Sequence, residues 1–149
     1  MDISFPPGLH VIYGESGSGK SQFIYSLSGL KDEQESNFTF TNLVIPRSSQ
    51  IVFQNPENQI LSHTLESELA FASECQTIHP QELQEKLTLL QSDLPFIHDW
   101  DRHPETLSGG QMEMLNLVTA FSTNPQLVFI DDGLSFLNND SKKNWVDWI

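Results

Sequence analysis

Eight residues constrain this chain more than any others: Gly14-Glu15-Ser16-Gly17-Ser18-Gly19-Lys20-Ser21. They fit G-x-x-x-x-G-K-[ST], a loop whose backbone wraps phosphate. An apolar run, Leu9 to Tyr13, leads in, and Ser21 to Leu27 reads as a helix leading out. That is the strand–loop–helix setting the motif requires. Glycines let successive backbone N–H groups turn toward an anion without Cβ clashes. The helix that follows aims its positive end at the same place. Lys20 is long enough to reach β- and γ-phosphates, and the Ser21 hydroxyl is a Mg²⁺ ligand type.

Composition narrows the class. A chain of 149 residues suits one domain. No apolar run approaches the roughly 20 residues that span a bilayer. Met1-Asp2-Ile3-Ser4 lacks a basic n-region, so no secretory signal is expected. Cys75 is the only cysteine, which forbids an internal disulfide and suits a reducing compartment. The net charge is −13, with seven basic residues spread along the chain. That argues against a nucleic-acid partner, which needs clustered Lys and Arg.

Along the chain, Ile3 to Phe5 and Leu9 to Tyr13 read as strands around the turn Pro6-Pro7-Gly8. Gly29 suits the position after a helix end. Phe38 to Ile45 and Gln50 to Phe53 are β-rich segments separated by Pro46-Arg47-Ser48-Ser49. Gln54 stands at a strand end, and Pro56 stops the strand. From Ser62 to about Arg102 the pattern turns helical, with Leu65, Leu69 and Ala72 on one face. Leu83, Leu87, Leu90 and Leu94 form a second stripe after Pro80, read as packing. Leu107-Ser108-Gly109-Gly110-Gln111 opens another helix, with Ser108 as N-cap and Met114, Leu117, Val118 and Phe121 facing the core. Leu127 to Ile130 has the unbroken apolarity of a strand buried on both faces. It ends in Asp131-Asp132, where open α/β sheets bind ligands. Asp140 to Ile149 reads as a helix with Trp145, Trp148 and Ile149 on one face.

The phosphate loop, strand-end glutamine, LSGGQ and acid-terminated strand, in this order, resemble the ATP-binding cassette (ABC) nucleotide-binding domain. LSGGQ is that family's signature. The run Gln54 to Gln59, followed by Ser62 to Phe71, is similar to the ATPase subunits of cobalt and energy-coupling-factor transporters. The resemblance implies an α/β P-loop NTPase fold, with a RecA-like core (1–56 and 107–149) and an inserted helical subdomain (about 57–106). It implies ATP and Mg²⁺ as ligands, held by Gly14, Glu15, Ser16, Gly17, Ser18, Gly19, Lys20 and Ser21. Gln54 would touch Mg²⁺ or the attacking water and move with a membrane partner, and Gln59 matches a second glutamine of the energy-coupling-factor group. Asp131 would act on Mg²⁺, and Asp132 would polarise the water. Ser108, Gly109, Gly110 and Gln111 would face the nucleotide of an opposite protomer. Implied partners are a second ABC protomer and a membrane-embedded subunit, with no nucleic acid. The implied location is cytoplasmic, on the inner face of the cell membrane.

Departures from the family pattern set a second expectation. Asp132 stands where a glutamate is usual, one methylene shorter; a shift of about 1 Å can cost about a hundredfold in rate. Gly133 replaces a proline, Asn138 an aspartate, and Met114 an arginine. No histidine follows His103, so the switch histidine is missing, and so is the aromatic adenine-stacking loop; Phe5 belongs to the first strand. The chain is expected to be trimmed at its ends, lacking the C-terminal switch region, or degenerate. Three functions follow: an ATPase driving an importer, a hydrolysis-impaired nucleotide-binding dimerisation module, or a soluble DNA-repair-type ATPase. The acidity and the Gln54 to Gln59 cluster weigh against the third.

Overall fold

The computed structural model describes residues 4–30, 38–74, 85, 88, 94 and 96–148. The chain divides into two compact units, Met1–Val44 and Ile45–Ile149.

In the first unit, helix α1 spans Lys20–Leu27. It ends in a Schellman arrangement: Gly29 is left-handed at φ 77°, and Leu30 N donates to Tyr25 O at 3.0 Å. Its Phe23 ring meets Phe38 edge-on at 5.3 Å and Phe40 at 5.9 Å. This aromatic cluster, rather than strand pairing, anchors the start of the 38–45 segment, which is not a strand. Leu9 to Tyr13 also differs from expectation. It forms no strand, and Val11 and Tyr13 are 80% and 97% exposed. An apolar run becomes a strand only where a neighbour satisfies its backbone, and the ladder described here joins other segments.

In the second unit, strands β1 (Ser49–Val52) and β2 (Leu127–Ile130) pair in parallel, Ser49 opposite Leu127 and Val52 opposite Ile130. Every residue of β2 is half-buried, which corrects the expectation of burial on both faces. Val128 and Ile130 pack against the core; the ladder described for β2 has β1 on one side.

Helix α2 (Leu65–Glu74) buries Leu65 and Leu69, as the stripe requires. Its first amides are capped from afar: Leu65 N donates to Arg102 O and Glu66 N to Trp100 O, each at 3.1 Å. Glu85 and Thr88 are helical and Leu94 is fully buried, while Pro80, Leu83, Leu87 and Leu90 lie outside the described residues.

Helix α3 (Gly109–Ser122) is the centre of this unit. Met112, Leu115, Leu117, Val118 and Ala120 are all buried, so the helix is enclosed on more than one face. Met114 and Phe121, expected in its core face, are only half-buried. They form a side contact with the buried Trp145 of helix α4 (Asn139–Trp148), whose indole Nε1 faces Met114 Sδ. Phe121 lies 6.0 Å from the Trp145 ring. A thioether against an aromatic is a favourable contact.

Candidate nucleotide site

The phosphate loop belongs to the first unit. Gly17 and Gly19 have φ of 80° and 90°, a region that side-chain-bearing residues rarely adopt. Gly14 is constrained by space instead: an added Cβ would lie 2.8 Å from the Ser18 hydroxyl. The Lys20 ammonium folds back over the loop, donating to Gly14 O at 2.9 Å and Glu15 O at 2.8 Å. An ammonium has three donors, so one remains to be aimed at a phosphate. Helix α1 follows Gly19, a cap position with no side-chain hydrogen bond, and its positive end faces the loop. Ser21, on the first turn of α1, is half-buried. This cradle, two left-handed glycines with an ammonium held across it, fits a polyphosphate.

In the second unit, the parallel ladder sets Gln54 and the acid pair side by side. β1 and β2 end in register at Val52 and Ile130, and Asp131 N continues the ladder to Val52 O at 2.9 Å. Gln54 and Asp132 therefore leave the sheet as neighbours, and Gln54 Nε2 donates to Asp132 Oδ2 at 3.4 Å. Asp131 is buried, whereas Asp132 is exposed with a left-handed backbone at φ 52°. Gly133 follows because space demands it: an added Cβ would lie 2.9 Å from both Ile130 Cγ2 and Val52 Cγ1.

The signature turn is held by its own chain. Ser108 Oγ accepts from Gln111 N at 3.3 Å, and Gln111 Oε1 accepts from Ser108 N at 3.0 Å, a complete capping box. The Ser108 hydroxyl keeps its proton for another acceptor. The two glycines abut the turn after the acid pair. A Cβ on Gly110 would lie 3.0 Å from Phe136 O, and one on Gly109 would lie 3.2 Å from the Phe136 ring.

Four polar residues that sequence reasoning gave no such role shape this region. Gln59 Oε1 accepts from Phe53 N at 3.2 Å. The buried Glu68 carboxylate accepts from Leu61 N at 3.0 Å and Ser62 N at 2.8 Å. Asn116, buried in α3, donates to Pro56 O at 2.9 Å. Glu113 on the same helix is buried, and burial pushes its carboxyl above the ordinary carboxylate range. The nearby amides of Phe136, Ser135 and Leu137 and the Lys142 charge pull it back only in part. For Glu113 and Asn116 the signal in the sequence is two polar residues inside an otherwise apolar helical run. Beside this network a cleft of about 460 Å³ is lined by Glu57, His63, His103, Glu105 and Met112, among others.

No group of three or more His, Cys, Asp or Glu side chains among the described residues forms a metal cage. Within the second unit, Gln54 and Asp131 carry side-chain oxygens beside one strand end. Few protein oxygens, supplemented by phosphate and water, suit Mg²⁺.

Comparison with known proteins agrees with the motif order. A family model described as ABC transporter matches residues 2–135. The energy-coupling factor transporter ATP-binding protein EcfA1 of Latilactobacillus sakei is 32% identical over 158 aligned residues, covering 100% of this chain and 56% of that protein. EcfA1 of Staphylococcus epidermidis is 27% identical, covering 100% and 59%. The chain thus spans little more than half the length of these relatives. Among solved structures, cbiO1 from Clostridium perfringens, part of the ABC transporter complex cbiONQ, superposes with a TM-score of 0.66 at 21% identity. It covers 90% of this chain and 57% of that one, and shows the α/β P-loop NTPase fold. With the family model covering most of its length, the chain belongs to the ABC transporter family.

Proposed function

We propose that this chain is the nucleotide-binding portion of an energy-coupling-factor-type transporter ATPase, and that it binds and hydrolyses MgATP at a dimer interface. The observation that carries the reading is the pairing of Gln54 with Asp132 at the end of a parallel ladder. It joins the strand-end glutamine to the acid that follows Asp131.

ATP is held by the loop Gly14 to Ser21, with Lys20 against the β- and γ-phosphates. In this reading Ser21, Gln54 and Asp131 would be the residues that hold Mg²⁺, which when bound would neutralise charge on the phosphate oxygens. Gln54 and Asp132 orient a water for in-line attack on the γ-phosphorus. The bond to the β–γ bridging oxygen breaks, ADP leaves with its electron pair, and the water's proton passes toward Asp132. Ser108, Gly109, Gly110 and Gln111 serve the nucleotide of the opposite protomer. The capped turn presents the Ser108 hydroxyl and α3's positive end. The partners of this reading are a second ABC protomer and a membrane-embedded subunit, with no nucleic acid. The portion would sit on the cytoplasmic face of the membrane; no helix among the described residues is long and apolar enough to cross it. A core of 1–56 and 107–149 with a helical insertion at about 57–106 belongs to the same reading.

A second reading, nucleotide binding with impaired hydrolysis, draws on Asp132. Its carboxylate sits on a shorter stem than glutamate, and its Oδ2 already accepts from Gln54. Steady-state phosphate release decides between them. Under the first reading, turnover on the order of 1 s⁻¹ is abolished by Lys20→Ala and by Asp132→Asn. Under the second, turnover is slow and Asp132→Glu raises it. Turnover that survives Lys20→Ala contradicts both.

A further inference from the structure

One buried side chain of α3 reaches out of its own helix to the segment bearing Gln54. Asn116 is 1% exposed, between the buried Leu115 and Leu117. A primary amide in such surroundings is unfavourable unless it is bonded, and its Nδ2 meets Pro56 O at 2.9 Å. Pro56 opens the 3-10 turn Pro56–Gln59, two residues after Gln54. Other bonds shape the same segment locally: Asn55 Oδ1 accepts from Glu57 N at 3.1 Å, and Gln59 folds back to Phe53 N. Glu68 fixes the exit from the side of α2. Asn116 differs from these in its origin, because its helix begins with the signature.

We propose that Asn116 is a positioning residue. By tying Pro56 to α3 it sets Gln54 against Asp132 and makes the Gln54 segment and the signature helix shift as one body. The proposal rests on the reading of Gln54 and Asp132 given above. Any displacement of the Pro56–Gln59 turn is then carried to Ser108 through a rigid helix, and the reverse.

Asn116→Leu keeps the volume and the helix but removes the donor. On the intact protein it should leave the Kd for MgATP unchanged, because the phosphate loop is built from other residues. Turnover should fall about tenfold to a hundredfold, the scale of a misplaced catalytic group. In a Gln54→Ala background Asn116→Leu should lower turnover no further, since groups acting through one another are non-additive. A merely structural role predicts additive losses, or parallel losses of binding and turnover; either overturns the proposal. A second arm needs no catalysis. Amide hydrogen exchange over residues 53–60 should accelerate in Asn116→Leu without nucleotide, and exchange at the wild-type rate overturns the proposal whatever the turnover. If the wild-type protein shows no Lys20-dependent turnover, the hydrolysis reading fails and the exchange arm alone judges Asn116. Should Asn116→Leu not fold, Asn116→Ser gives the same readouts.

Discussion

The phosphate loop and the signature turn are both glycine-rich helix starts, and they are finished in opposite ways. Helix α1 begins at Gly19, left-handed and without a side-chain cap. Helix α3 begins at Ser108, with a reciprocal capping box closed by Gln111. The run leading into the phosphate loop is exposed, whereas α3 is enclosed by the largest buried side chains of its unit. A start made by a left-handed glycine, with no side chain folded over it, leaves room for an anion at the helix's positive end. A start closed by a capping box carries its own side chains over the turn and presents one shaped hydroxyl. The first is suited to holding a charged ligand, and the second to meeting one already held elsewhere. The glycines follow the same division. In the loop, Gly17 and Gly19 serve backbone conformation; in the signature, Gly109 and Gly110 make room for Phe136 of the same chain.

This contrast is open to direct attack, and the largest effect belongs to the signature helix. Leu117 is fully buried. Leu117→Ala should lower unfolding free energy by about 2–5 kcal/mol, measured by urea denaturation. A loss near zero would mean that α3 is not the core element described. Next comes Gly133, where a Cβ meets Val52 and Ile130 at 2.9 Å. Gly133→Ala should cost about 1–3 kcal/mol by overpacking, readable as a lowered melting temperature. It should also loosen the Gln54–Asp132 pair, because both leave the same two strand ends.

Glu113 gives a smaller effect with a definite sign. Burial raises its folded-state pKa above the ordinary value of 4.5. The folded protein therefore binds the proton more tightly than the unfolded chain does. Stability from this group is fully present below the unfolded value, and is lost as pH rises through the raised folded value. Glu113→Gln should flatten that decline, leaving the protein relatively more stable near neutral pH. Denaturation midpoints across the acid range decide, and identical pH slopes in both proteins would contradict the assignment. The smallest effect is expected in the lead-in run. Tyr13 is 97% exposed, so Tyr13→Ser should change stability by less than about 0.5 kcal/mol. A large loss would show that this run is covered in the native protein.

Much of this was legible in the sequence because motifs are local. The phosphate loop, the Ser108 cap, the Gly29 helix end and β1 depend on residues a few positions apart. Each was read from the residue type its backbone geometry needs. What failed depended on distant neighbours. Leu9 to Tyr13 has strand chemistry, but pairing is decided by which segment lies beside it. Leu127 to Ile130 has the composition of a fully buried strand, yet each of its residues remains half-exposed. Met114 and Phe121 fit a helical stripe and do pack against the core, but at its margin, beside Trp145 of a distant helix. The site divided in the same way. The order of motifs singles out Gln54 and Asp132, and the contact between them spans 78 residues. Asn116 and Glu113 fall outside a reading of α3 as a single apolar stripe, and what lies beside them belongs to other segments. Gln111, expected as a nucleotide contact, closes the cap of its own helix.

In the function proposed above, the phosphate loop with Lys20 across it is the element that grips nucleotide. Calorimetric titration of MgATP into the protein and into Lys20→Ala tests this most directly. Removing charge-assisted hydrogen bonds worth about 1.5–3 kcal/mol should weaken binding by roughly tenfold to a hundredfold. The signature variant Ser108→Ala should leave binding to the isolated chain unchanged. Equal affinity for wild type and Lys20→Ala, or a larger loss in Ser108→Ala, would contradict the account.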